Sequence, residues 1–232
     1  MKHTAFLFLA LTGILGIIGT VSAQSTQNRS VAGFNSIANA GSFDVHVKIT
    51  GTESLKITAD ASIIDEIETV VNGGTLEIRF KHQNQQHHYS GRVDVYVTAK
   101  SLYALTCSGS GALSVDGTIK GREVEVTLSG SGSISSGIGS DELETTISGS
   151  GKVSLTGSAA KTKVTMSGSG QLRAADLKTD VADISIAGSG NIWLNVNKSI
   201  SGSIIGSGDV TYTGTATISG VNTIGSGRIR KG

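Results

Sequence analysis

Several sets of residues in this chain have the types and spacing to do chemistry. Glu125 and Glu144 stand five residues before two successive Gly-Ser-Gly triplets, and the same column continues with Lys163 and Asp183. Two carboxylates on neighbouring repeats are what a glycoside hydrolase needs for acid and base work, and acids around calcium serve β-helical lyases. The column reads more simply as an outward ladder of alternating charge, since like charges opposed across strands cost only about 1 kcal/mol or less. Asp116, Asp176 and Asp209 fall in other columns and form no cluster. No serine, histidine and acid stand in a recognisable triad order, so catalysis has no support.

His82, His87 and His88 crowd into the polar stretch 81–91, KHQNQQHHYSG. Imidazoles are metal ligands, but adjacent ones in an extended chain point to opposite sides and no acid or cysteine completes a set. A solvated loop is the expectation, with no metal and no cofactor. Cys107 is the single cysteine, which excludes an internal disulfide. Its apolar column makes it a buried, space-filling thiol. The Gly-Ser-Gly triplets are not phosphate cradles, because none is followed by Gly-Lys-Ser/Thr and no helix opens after one. Nor do they carry the Asp of calcium-binding repeats.

Hydroxyls are the better surface signal. Three residues before successive triplets come Thr106, Thr127, Thr146, Thr165, Ser185, Ser203 and Asn222, and one residue before come Ser108, Ser129, Ser148 and Ser167, then Ala187, Ile205 and Ile224. Four repeats therefore write Thr-x-Ser on an outward face. Such a flat array could bind a glycan or an ordered surface, ice included. It also suits a merely soluble β-face, since threonine pairs well across strands. The apolar strip Ala187, Ile205 and Ile224 marks either a contact surface or a shift of strand phase.

The elements that must position these residues follow from the triplet itself. It occurs seven times, at Gly109–Gly111, Gly130–Gly132, Gly149–Gly151, Gly168–Gly170, Gly188–Gly190, Gly206–Gly208 and Gly225–Gly227, at intervals of 21, 19, 19, 20, 18 and 19 residues. Two residues after each copy stands an aliphatic residue (Leu113, Ile134, Val153, Leu172, Ile192, Val210 and Ile229), and apolar residues dominate two and four before. Alternation of this kind means strands with one face inward, joined at a glycine corner. The unit is too short for a strand with a packed helix or for a propeller blade. The expected fold is all-β, a right-handed parallel β-helix (β-solenoid) of about 19 residues per coil, its coils stacked about 4.8 Å apart.

Residues 1–23 have a short basic start, an uncharged apolar run and Val21-Ser22-Ala23, the pattern of a signal peptide cleaved after Ala23. Removal of this leader leaves 18 basic and 18 acidic side chains. That balance argues against nucleic acid and against a polybasic membrane module. No transmembrane domain is expected in the mature chain. Residues 24–33 read as a loose lead-in. The single domain then runs over 34–232, with 34–101 as irregular β-rich opening coils or a cap and 102–232 as the repeat coils. Strands are expected at Ser42–Thr50, Ser54–Asp60, Thr75–Lys81 and Arg92–Thr98, with Ile63–Val71 as the one helical turn.

The leader, the β-rich start near Phe34-Asn35-Ser36-Ile37 and the serial triplets together resemble the head GIN-domain auto-transporter adhesin family, the Gly-Ser-Gly repeat β-helix proteins of Gram-negative bacteria. The resemblance spans roughly Val31–Gly227, most of the mature chain; where family members often have a proline in the run-up to the first triplet, Ala99-Lys100 stands here. It implies a β-helix without the catalytic residues of pectin lyases and a role in cell adhesion, and it brings no site residues with it. The expectation is an exported, non-enzymatic β-solenoid of the cell envelope. Its partner is a glycan or another cell-surface component. A β-helical glycan lyase or hydrolase and an ice-binding protein are the rivals.

Overall fold

The structure, a computed structural model, describes residues 24–82 and 91–232. The expected leader with its cleavage after Ala23, and His87 and His88, lie outside the described residues. The described chain is a parallel β-solenoid of about 7 turns, with about 19 residues per turn.

The opening segment supplies β1 (Gln24–Arg29), β2 (Ser36–Ala40), β3 (Asp44–Ile49), β4 (Ser54–Asp60), a short 3-10 turn at Ile64–Glu66, β5 (Ile67–Asn72), β6 (Thr75–Phe80), β7 (Asp94–Ala99) and β8 (Ala104–Gly109). Five long strands follow: β9 (Ala112–Gly130), β10 (Ser133–Gly149), β11 (Lys152–Gly168), β12 (Gln171–Gly188) and β13 (Asn191–Gly206). The chain closes with β14 (Asp209–Thr213), β15 (Thr217–Gly225) and β16 (Arg228–Lys231). Each long strand bends, so that residues after a triplet form a leading face and residues before the next form a trailing face. The leading face runs β1-β4-β7-β3-β9-β10-β11-β12-β13-β14-β16.

Two readings of the opening segment change. The lead-in is not loose: β1 pairs antiparallel with β4, and the Arg29 guanidinium donates to the Ile64 and Ile67 carbonyls. The Ile63–Val71 segment is helical only over Ile64–Glu66 and then becomes β5, antiparallel to β6 across Asn72-Gly73-Gly74. The apolar spacing at 63–71 fits either period, and pairing with β6 decides between them. Elsewhere β2, β3 and β7 already pair in parallel, in the geometry of the coils above them. Phe43, fully buried, meets Phe80 edge-on at 4.8 Å between centroids and fills the interior at this end.

In the repeat region the alternation becomes stacking. Leu113, Ile134, Val153, Leu172, Ile192, Val210 and Ile229 follow one another in register from rung to rung. The first six are at most 1% exposed, so they form one internal column. A methylene buried in such a column is worth about 0.8 kcal/mol. The triplets are the corners, and successive corners lie on top of one another. The Gly130 carbonyl accepts from the N–H groups of both Ser150 and Gly151 at 3.0 Å. No helix among the described residues is long and apolar enough to cross a membrane.

Candidate functional site

On the trailing face, Thr106, Thr127, Thr146 and Thr165 stand in one register column, and Ser108, Ser129, Ser148 and Ser167 in the next. The serines are exposed and the threonines half-buried. The second column continues without slippage through Ala187, Ile205 and Ile224. Its neighbours Ile186 and Ile204 stay buried while Ile205 and Ile224 are more than half exposed, so the strand phase does not shift.

The acidic column is a charge ladder. Lys163 Nζ lies 2.8 Å from Glu144 Oε1, and Lys161 Nζ lies 3.2 Å from Glu142. The bond from Glu144 raises the lysine's pKa and ties the carboxylate down as an acceptor. Glu125 accepts from Thr127 Oγ1 at 3.2 Å. Glu142, Glu144, Lys161 and Lys163, with Glu123 and Asp183, edge a shallow hollow of about 220 Å³, while Glu125 stands outside it. The hollow's carboxylates are exposed or half-buried. Among the described residues no three His, Cys, Asp or Glu side chains gather as metal ligands. Cys107 is fully buried, and desolvation pushes its thiol up to about 11.

The leading face carries what the sequence reading missed. Its central outward column runs Lys56, Tyr96, His46, Ser114, Ser135, Ser154, Arg173, Trp193 and Thr211 along adjacent strands. Near its far end a trough of about 540 Å³ opens beside Trp193, edged by Lys152, Ser154, Arg173 and Asp176. A bulge makes room for it. β12 carries residues between Ala174 and Lys178 that have no counterpart in β13, where Leu194 and Asn195 are consecutive. Bulges of this kind re-aim side chains at binding sites. The Arg173 guanidinium sits 5.8 Å from the Trp193 ring centroid. Among the described residues, neither Lys152 nor Arg173 is ion-paired with a carboxylate.

Toward the other end, Lys56 Nζ lies 4.6 Å from the Tyr96 centroid, and Tyr96 stacks on His46 at 5.1 Å. His46 also bridges Asp94, at 3.2 Å, and Ser114, at 3.3 Å. A serine, a histidine and an acid are thus in line after all, in the chain order His46, Asp94, Ser114 that one class of catalytic triad also has. Ser114 Oγ also lies 3.4 Å from the Val45 carbonyl, and the backbone N–H groups here are committed to the parallel ladder. The ring meets Asp94 through Nε2 and Ser114 through Nδ1, the reverse of the serine-protease arrangement, and the line orients His46. The signal for this face was present: the column three residues after each triplet reads Ser114, Ser135, Ser154, Arg173, Trp193, Thr211 and Arg230, and Trp193 is the only tryptophan.

The comparisons with known proteins agree with this architecture. A crystal structure of a putative adhesin from Bacteroides fragilis NCTC 9343 superposes with a TM-score of 0.84 at 21% identity, covering 91% of this chain and 98% of that one. A putative lipid binding protein from Parabacteroides distasonis ATCC 8503 gives 0.73 at 25% identity, covering 90% and 96%. A putative adhesin from Parabacteroides merdae ATCC 43184 gives 0.72 at 20%, with the same coverage of 90% and 96%. No curated protein matches the chain significantly. The family described as "Putative auto-transporter adhesin, head GIN domain" matches residues 33–216, and the chain belongs to that family.

Proposed function

We propose that this protein is an exported, non-enzymatic binding protein of the cell surface that takes glycans on its leading face, with Trp193 as the platform for a sugar ring. The observation that carries the reading is the trough itself. A half-buried indole stands one rung from an unpaired guanidinium, beside a bulge that opens 540 Å³ of space. Pockets that hold small polar ligands combine an apolar wall with a few directed polar groups, and an indole offers both an apolar face and a quadrupole. Family membership supports adhesion, and the fold supports a rigid rod that presents its faces outward. Export rests on the leader, with Gln24 as the mature N-terminus.

The Thr-x-Ser array of Thr106, Ser108, Thr127, Ser129, Thr146, Ser148, Thr165 and Ser167 belongs to the proposal as an accessory flat contact surface, favoured by its register. Against a β-helical hydrolase stands the Lys163–Glu144 pair. Against ice binding stands the loss of the hydroxyl pattern beyond four rungs.

A glycan array probed with the protein purified after export tests the reading. Defined sugars should bind, and Trp193→Ala should weaken them about tenfold, as expected for loss of roughly 1.5 kcal/mol of stacking. Unchanged binding in that variant, or no bound glycan at all, would remove the proposal. Sugar cleavage by the wild type that Glu144→Gln abolishes would establish the hydrolase instead.

A further inference from the structure

Resting on that reading, we infer that the ligand is a linear acidic polysaccharide that lies along the rod and is gripped at two aromatic stations on the leading face. One station is Trp193 with Arg173 and Lys152, and the other is Tyr96 with Lys56 and His46. Both rings belong to the same outward column, six rungs apart along β7-β3-β9-β10-β11-β12-β13. At the spacing of neighbouring strands that is about 29 Å. A single sugar cannot touch both, whereas an extended chain running parallel to the rod can.

What lies between the stations suits such a chain. Ser114, Ser135 and Ser154 are the only side chains of the central column there, short enough to leave the path clear and able to hydrogen-bond to sugar hydroxyls. The sign of the charge follows from the partners. The carboxylates near the Tyr96 station are engaged: Asp94 by His46 at 3.2 Å, Asp44 by Arg92 at 2.6 Å, and Asp116 by Lys48 at 3.6 Å. Among the described residues, Asp176 is the one acid lining the Trp193 trough. Against it stand Lys152 and Arg173 at that trough and Lys56 at the other station, none with a carboxylate partner among the described residues. Cations held beside aromatic rings at both ends favour a chain that bears acids along its length, because each added contact becomes intramolecular once the first has formed.

The experiment is calorimetry with the full exported protein and size-fractionated oligogalacturonates. A decasaccharide should bind at least tenfold more tightly than a disaccharide, and added salt should weaken it. Tyr96→Ala and Trp193→Ala should each bring the decasaccharide down to the disaccharide's level. Ser135→Glu, an exposed change midway between the stations, should weaken the long fragment and spare the short one, which keeps the test independent of any folding defect in the aromatic variants. Binding that ignores chain length, or that depends on Trp193 and not on Tyr96, would overturn the two-station inference while leaving a glycan site at Trp193. Equal affinity for neutral cello-oligosaccharides would overturn the acidic assignment alone. Dextran sulfate that binds both alanine variants as well as it binds the wild type would reveal plain charge attraction and overturn the inference. If no saccharide binds at all, the glycan reading of the previous section falls with it.

Discussion

Gly149 sits directly over Gly130: a Cβ added to Gly149 would come within 2.5 Å of the Gly130 carbonyl oxygen. That same oxygen holds the next corner in place by accepting from Ser150 and Gly151. The corner therefore demands glycine twice, once for its φ of +114° and once for the closeness of the rung below.

Gly149→Ala should cost upward of about 3 kcal/mol, combining backbone strain with a clash against backbone that cannot move aside. Gly51→Ala is the control. Its φ of +82° strains alanine equally in kind, but nothing lies within 4 Å of the added methyl. It should cost only about 1 kcal/mol. Chemical denaturation of the two variants separates torsion from packing, and equal losses would refute the stacked-corner account.

Thr145 occupies an inward position between Val126 and Val164 of the neighbouring rungs. It is fully buried and its hydroxyl has no hydrogen-bond partner among the described residues. Thr145→Val keeps the shape and removes the stranded oxygen, so it should stabilise the protein by about 1 kcal/mol. A lowered denaturation midpoint would show that the hydroxyl is satisfied in solution.

Cys107 should resist alkylation while the protein is folded, because burial raises its thiol from 9.0 to about 11 and walls it off. Its folded value lies above its unfolded one. The thiol's contribution to stability is therefore complete below pH 9 and is lost as pH rises through 11. Cys107→Ala should flatten the fall of stability across that window. Rapid labelling of the native protein at neutral pH would contradict the burial.

Glu53 ties the opening segment together. Its carboxylate accepts from the Gly33 and Phe34 N–H groups, at 3.0 and 3.3 Å, and from Lys100 Nζ at 2.8 Å. The Lys100 bond lowers its pKa first, with the two backbone donors adding to the shift. A depressed carboxyl stabilises above its unfolded value and loses that contribution as pH falls through the folded one. The protection factors of the amides at residues 31–36 should therefore fall on acidification, and Glu53→Gln should show the lower protection already at neutral pH. Protection indifferent to both would remove Glu53 from this role.

The repeat was enough to specify the coil. Seven triplets at near-constant spacing, each followed two residues later by an aliphatic side chain, leave few ways to bury those side chains except in one column, because strand side chains alternate and the corner resets the phase at every turn. Local alternation likewise located β3, β4, β6 and β7 to within a residue or two of their ends. The single chain of letters could not decide what happens between distant segments. Whether 67–72 extends or coils depends on β6, and whether 24–29 is ordered depends on β4. The leading-face column is of the same kind. Tyr96, His46 and Ser114 are neighbours only because β3 inserts between β7 and β9, out of chain order, and the Trp193 trough exists only because β12 bulges where β13 does not. Periodicity encodes which way a side chain points. Only the stacking of rungs decides which side chains it points beside.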